Sequence, residues 1–150
     1  MSKKRTISLI FAIIYIISLF SFMLLRNYSN NVFNKEESIR EKFVGRIVNN
    51  IEDEEIVNLV QNGNTIVKIK FNHLCQSCLS LKEYLESLME NQDYKKQMTL
   101  VEILDSNISK PWVEIISPNE NEILTTENKE EIQKVLCKAL VDPPIDCALL

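Results

Sequence analysis

Positive charge is in deficit in this sequence: 17 Lys and Arg stand against 21 Asp and Glu, a formal net charge of −4. Without Lys3, Lys4 and Arg5 the remainder carries roughly −7. An acidic surface repels phosphate backbones, which excludes nucleic acid as a partner. No internal repeat appears, which excludes solenoids and propellers. Histidine occurs once, at His73, so any metal site would rest chiefly on cysteine.

Charge is missing altogether from Thr6 to Leu25, TISLIFAIIYIISLFSFMLL. About 20 helical residues reach ~30 Å, the thickness of a bilayer's hydrocarbon core. The stretch after it, FMLLRNYSNN, lacks the small residues of a cleavage site, so an uncleaved anchor is expected in place of a removed signal peptide. Lys3, Lys4 and Arg5 precede the segment and only Arg26 follows closely, which sets the N-terminus in the cytoplasm and the rest outside. The expected organisation is an N-terminal transmembrane helix within residues 1–25, an Asn-rich polar tether over 26–40 and a folded domain over 41–150. The expected location is the cell membrane, single-pass, with the domain extracytoplasmic.

What the chain does have is four cysteines and a run of alternating elements. A short strand is expected around Gly45–Val48 and a helix over Asp53–Gln61. Thr65–Phe71 alternates Ile66, Lys68 and Lys70 against Val67, Ile69 and Phe71, which predicts a strand with one wetter face. From Cys78 the set Leu81, Leu85, Leu88 and Met89 has helical spacing. TLVEIL (Thr99–Leu104) and WVEII (Trp112–Ile116) predict two further strands, and Ser117-Pro118-Asn119 a turn into EILT, forming a hairpin. Thr126 is expected to cap a last helix reaching about Leu140, which Asp142-Pro143-Pro144 ends.

Cys75 and Cys78 therefore sit in HLCQSC, between a strand and a helix. A cysteine at a helix start meets unpaired N–H groups and the positive dipole end, which favour the thiolate. Cys75 holds that place, and Cys78 lies one turn further on the buried face. Three readings stay open on the residues alone: a redox couple, half of a metal site with His73 as a third ligand, or a structural staple. Cys137 and Cys147 bracket a Pro pair; they suit a disulfide closing about ten residues, with free thiols or an electron relay as alternatives.

This order of strand, Cys-x-x-Cys, helix, second strand, proline-led hairpin and closing helix resembles the thioredoxin-like α/β fold over roughly Gly45–Leu140. The resemblance implies that Cys75 attacks and Cys78 resolves, and that Pro111 is the cis-proline beside the pair. On the residues alone, His73 is a third metal ligand, a nearby cation that modulates Cys75, or simply solvated. Three departures accompany the likeness. Leu74 replaces the usual Trp and Gln76-Ser77 lacks proline or glycine; Ile69 stands where many thioredoxins bury an acid; and only Asp105–Lys110 separates the strand from Pro111, where the family has a helix. A pared-down fold follows, with Lys68 and Lys70 expected to share an open face with Glu102 and Glu114.

The implied activity is that of a membrane-tethered thiol–disulfide oxidoreductase acting on exported protein or peptide thiols and disulfides, with no cofactor and with a membrane redox partner in reach. The alternatives are a non-catalytic docking module of the same fold and a Cys/His metal-binding protein.

Overall fold

A computed structural model describes residues 15–21, 23, 35 and 37–149. Residues 39–150 form one compact unit and residues 1–38 another. In the first unit, residues 15–21 are helical and expose Tyr15, Ile16, Ile17, Leu19 and Phe20. No helix of the described residues is long and apolar enough to cross a membrane. Most of the expected anchor and tether lies outside the described residues.

In the second unit a helical turn over residues 39–43 leads into β1 (Ile47–Val48), then α1 (Asp53–Gln61), β2 (Thr65–Phe71), α2 (Gln76–Glu90), α3 (Gln92–Lys95) and β3 (Met98–Leu104). It continues through β4 (Trp112–Ile116), β5 (Asn121–Leu124) and α4 (Lys129–Ala139) to a terminal 3-10 turn, Ile145–Leu149. One sheet runs in the order β1-β3-β2-β4-β5. β2 is parallel to β3 and antiparallel to β4, and β4 and β5 make the expected hairpin. Parallel β2 and β3 require a crossover, and α2 supplies it.

Two faces of unequal cover result. Val67, Ile69, Leu100, Val113, Ile115 and Leu124 point to one side, where α2 brings Leu81, Leu85 and Met89 and α4 brings Ile132, Val135 and Leu136. Each such side chain stabilises by about 1.5–3 kcal/mol when fully buried. On the other face Phe43, Ile56 and Leu59 cover Ile66 and Val101. That cover ends halfway along β2. Beyond it Lys68 pairs with Glu114 at 3.1 Å and the Lys70 ammonium lies 4.4 Å from the centre of the Trp112 ring. β3 and β4 are joined with no helix between them, so these charged residues meet water where the thioredoxin pattern has a helix.

Three expectations need correction. Glu102 is paired with Ile69 and Val101 with Lys68, so Glu102 faces α2, on the side away from Lys68, Lys70 and Glu114. The register, which alternation alone does not fix, decides this. The cap of α4 is Asn128, whose side chain accepts from Glu130 N–H; Thr126 Oγ1 instead accepts from Asn128 N–H. α3 was not expected. It forms because Asn91 caps it through Asp93 N–H, while Tyr94 is buried in the core. Gly45 suits the close approach of β1's lead-in to α3: its φ is +74°, and a Cβ there would stand 2.8 Å from the Lys95 carbonyl oxygen.

Candidate functional site

β2 runs out at Phe71 because the chain turns on Asn72. The Asn72 Oδ1 accepts from Leu74 N–H at 3.1 Å and its carbonyl accepts from Cys75 N–H at 3.0 Å. The same side chain donates to the carbonyls of Ser106 and Ile108, which ties the β3–β4 link against this turn. Cys75 is thereby delivered to the N-cap of α2, in extended backbone. Its sulfur, not a hydroxyl or carboxylate, accepts the capping bond, from Cys78 N–H at 3.2 Å.

Cys75 and Cys78 are joined in a disulfide. Cys75 is 8% exposed and Cys78 is fully buried, so of the two residues only Cys75 keeps any surface. Ser77 Oγ lies 3.6 Å from it. Phe71 shares one buried cluster with the two cysteines, with Leu79 and Ile108 alongside. A shallow pocket lined by Asn72, Leu74, Cys75, Ile108 and Ser109 opens here, and Leu74 stands 93% exposed at its lip. The disulfide leaves no thiolate pair for a metal, and among the described residues no group of three or more His, Cys, Asp and Glu is placed to hold one.

The other residues singled out from sequence fall as follows. His73 is exposed on the turn with its ring edge-on to Phe71, centroids 5.7 Å apart. Pro111 is buried at the start of β4, but no peptide bond among the described residues is cis. The expectation of a cis-proline is therefore corrected. An X–Pro bond prefers trans by about 0.5–1 kcal/mol, and the six-residue link reaches β4 without the reversal a cis bond provides. Ile108 and Ser109, from that link, take the place beside Cys75. Cys137 and Cys147 form a second disulfide. Thr65, at the start of β2, bonds the carbonyl of Ala139 at the end of α4, so this bridge lies by the opposite end of β2 from Cys75.

Sequence reasoning missed the charged cluster behind the pair. Lys82, four residues after Cys78, bonds Glu86 at 2.7 Å and Glu102 at 3.2 Å, and its ammonium lies 5.5 Å from the Phe71 ring centre. Burial, helped by Glu86, pushes the Glu102 carboxyl above its ordinary range against the pull of Lys82. Burial also works against the Lys82 ammonium, but its bonds to Glu86 and Glu102 outweigh that and raise it. The available signal was Lys82 at i+4 from Cys78, a spacing that places the two on one helix face.

No protein-family model and no curated protein sequence matches the chain. Among solved structures, a redox protein from Chlamydomonas reinhardtii superposes with a TM-score of 0.52 at 18% identity, over 68% of this chain and 38% of that one. This chain thus corresponds to well under half of that protein's length. Thioredoxin f from spinach chloroplast gives 0.44 at 16% identity, covering 64% of this chain and 87% of its own. A thioredoxin from Halobacterium salinarum gives 0.46 at 11%, covering 67% and 97%. The sheet order, the Cys-x-x-Cys disulfide where β2 passes into α2, and the likeness to the Chlamydomonas protein together show a thioredoxin-like α/β fold, shortened by the helix absent between β3 and β4.

Proposed function

We propose that the chain is a thiol–disulfide oxidoreductase that works through Cys75 and Cys78, tethered to a membrane by residues 1–25 and acting on exported proteins or peptides. The observation that carries the reading is the asymmetry of the pair: Cys75, at a helix N-cap and lining a shallow pocket, is bonded to a fully buried Cys78. When the disulfide is opened by a dithiol partner, the Cys78 N–H and the helix's free N–H groups stabilise charge on the Cys75 sulfur. That thiolate attacks a client disulfide, forming a mixed disulfide and releasing one client thiolate. Cys78 then attacks the Cys75 sulfur, restoring the internal disulfide and releasing the second client thiolate, so the client gains the two electrons the pair loses. An oxidase would run the same steps in reverse. The exposed Leu74 and the neighbouring pocket suit an extended client segment. The tether reading is supported by the uncharged run Thr6–Leu25 and the basic residues before it.

Trapping tests it. A Cys78→Ser chain cannot resolve its mixed disulfide and should retain clients covalently on non-reducing gels of membranes, whereas Cys75→Ser should retain few. Equal capture by both variants, or by neither, would sink the exchange reading and favour a docking module. Fractionation with alkaline washing reads the anchor: release of the full-length chain from membranes would overturn the tether.

A further inference from the structure

The Cys137–Cys147 bridge lines a pocket that exchange at Cys75 leaves unused. One wall is the end of α4, which brings Lys134, Cys137 and Lys138; the other is the tail, with Pro144, Ile145 and Cys147. The space measures about 630 Å³, inside the range of roughly 300–1,000 Å³ that small-molecule sites occupy. The base of the tail wall is fixed. Gln97 accepts from Asp142 N–H at 3.0 Å, Lys96 bonds the Asp142 carboxylate at 2.8 Å, and Pro144 is buried. Past Pro144 the turn Ile145–Leu149 buries no residue, so the bridge is the chief tie on that turn.

The chain is acidic, yet the charged residues lining this pocket are both lysines. Neither Lys134 nor Lys138 has an ion-pair partner among the described residues. Asp142 is engaged by Lys96, and Asp146, within the turn, does not line the pocket. A concave site whose charges are all positive draws an anion. Cys137 and Cys147 also both keep part of their surface, whereas Cys75 and Cys78 are buried. Two unpaired cations, a small-molecule volume and a partly exposed disulfide therefore coincide.

We propose that this pocket takes a small anionic thiol, which opens the Cys137–Cys147 bridge by exchange. The site is separate from Cys75, and the inference does not depend on exchange there. The ligand thiolate attacks the Cys147 sulfur. An S–S bond forms between ligand and Cys147 as the Cys137–Cys147 bond breaks, and Cys137 leaves as a thiolate. A second ligand thiolate then attacks the ligand sulfur of the mixed disulfide, releasing the ligand disulfide and the Cys147 thiolate. The two ligand molecules lose the two electrons that the bridge gains, and solvent supplies protons to both cysteines. Charge selects Cys137 as the first leaving group. The negative end of α4 alone would disfavour a thiolate there, but Lys134, three residues earlier on the helix, and Lys138 offset it. Opening the bridge releases the turn Ile145–Leu149, so the ligand sets how firmly the tail is held.

The test uses the full-length oxidised chain in non-ionic detergent. Mercaptopropionate, mercaptoethanol and cysteamine serve as the anionic, neutral and cationic probes. Opening of each bridge is followed by alkylation and peptide mass mapping. Each rate is divided by the same thiol's rate with a small neutral disulfide, which removes differences in intrinsic reactivity. At Cys137–Cys147 mercaptopropionate should lead cysteamine by about tenfold, the scale set by two contact-distance charges in water. The lead should vanish in the chain carrying Lys134→Gln and Lys138→Gln, and in ~1 M salt, where the screening length falls to about 3 Å. The first adduct should sit on Cys147, with Cys137 alkylated. Opening no faster with mercaptopropionate than with mercaptoethanol, or a lead that survives both lysine substitutions, overturns the site. A first adduct on Cys137 overturns the direction of attack. A Cys137–Cys147 bridge closed to all three thiols overturns the proposal even where Cys75–Cys78 opens, whereas a Cys75–Cys78 bridge that stays closed counts against the exchange reading alone.

Discussion

Glu102 and Glu55 make opposite demands on pH, and each can be checked in the folded chain without reference to activity. Burial raises the Glu102 carboxyl above its ordinary value of 4.5, so the folded state holds that proton more tightly than the unfolded state. Its favourable contribution is complete below the ordinary value and is lost as pH rises through the folded one. Glu55 is lowered by the Glu52 N–H, which it accepts at 3.0 Å, and by Lys42 at 2.8 Å. Its contribution is present above the ordinary value and lost as pH falls through the folded one. The Glu102→Gln chain should therefore lose the part of the stability decline that begins just above the ordinary carboxyl range, and gain stability at neutral pH relative to wild type. Urea unfolding across that range measures it, and an unchanged slope would contradict the burial of this carboxyl. Glu55→Gln should remove a slope of the other sign.

At the scale of elements, the strand and helix bodies were legible because periodicity reports burial. β2, β4 and α1 fall at the residues their alternation and spacing mark, and β3 starts one residue early. What alternation leaves open is the register between strands, and the misplacement of Glu102 follows from that: shifting a strand by one residue moves its side chains to the other face. The redox pair was legible from Cys-x-x-Cys at a strand-to-helix boundary. The cluster of Lys82, Glu86 and Glu102 was not, because it joins residues twenty positions apart through a register no local pattern states. Pro111 shows a different limit. Its place before β4 matched a family pattern, but the short link lets the chain enter β4 through a trans bond. End effects were equally hard to read. Thr126 and Asn128 are both good caps, and only the structure shows Asn128 Oδ1 bonded to Glu130 N–H at 3.0 Å. Asn128→Ala should therefore cost about 1 kcal/mol of stability and Thr126→Ala less; chemical denaturation that ranks them the other way would move the start of α4.

Over the whole molecule, the two disulfides divide their work by position. Cys75 and Cys78 lie where β2 ends, while Cys137 on α4 is bridged to Cys147 in the tail, by the end where β2 begins. Seven residues of strand separate these ends, which is ~20 Å at about 3.3 Å per residue. Disulfide exchange needs sulfur-to-sulfur attack, so a direct relay between the pairs would require the tail to cross the core. That core is filled by Leu81, Leu85, Leu100 and Leu136. The tail is fixed besides by Lys96 to Asp142 at 2.8 Å and by Gln97, which accepts from Asp142 N–H at 3.0 Å. The second bridge closes ten residues of chain, and on the loop-entropy account it stabilises by about 2–3 kcal/mol through the unfolded state. Replacing Cys137 and Cys147 together by Ser should lower unfolding stability by that amount while client trapping by a Cys78→Ser chain stays unchanged. Equilibrium denaturation and non-reducing gels on the same preparations separate the two effects. Stability that does not change would remove the staple. Trapping that fails while the fold keeps its stability would show that electrons do pass between the ends.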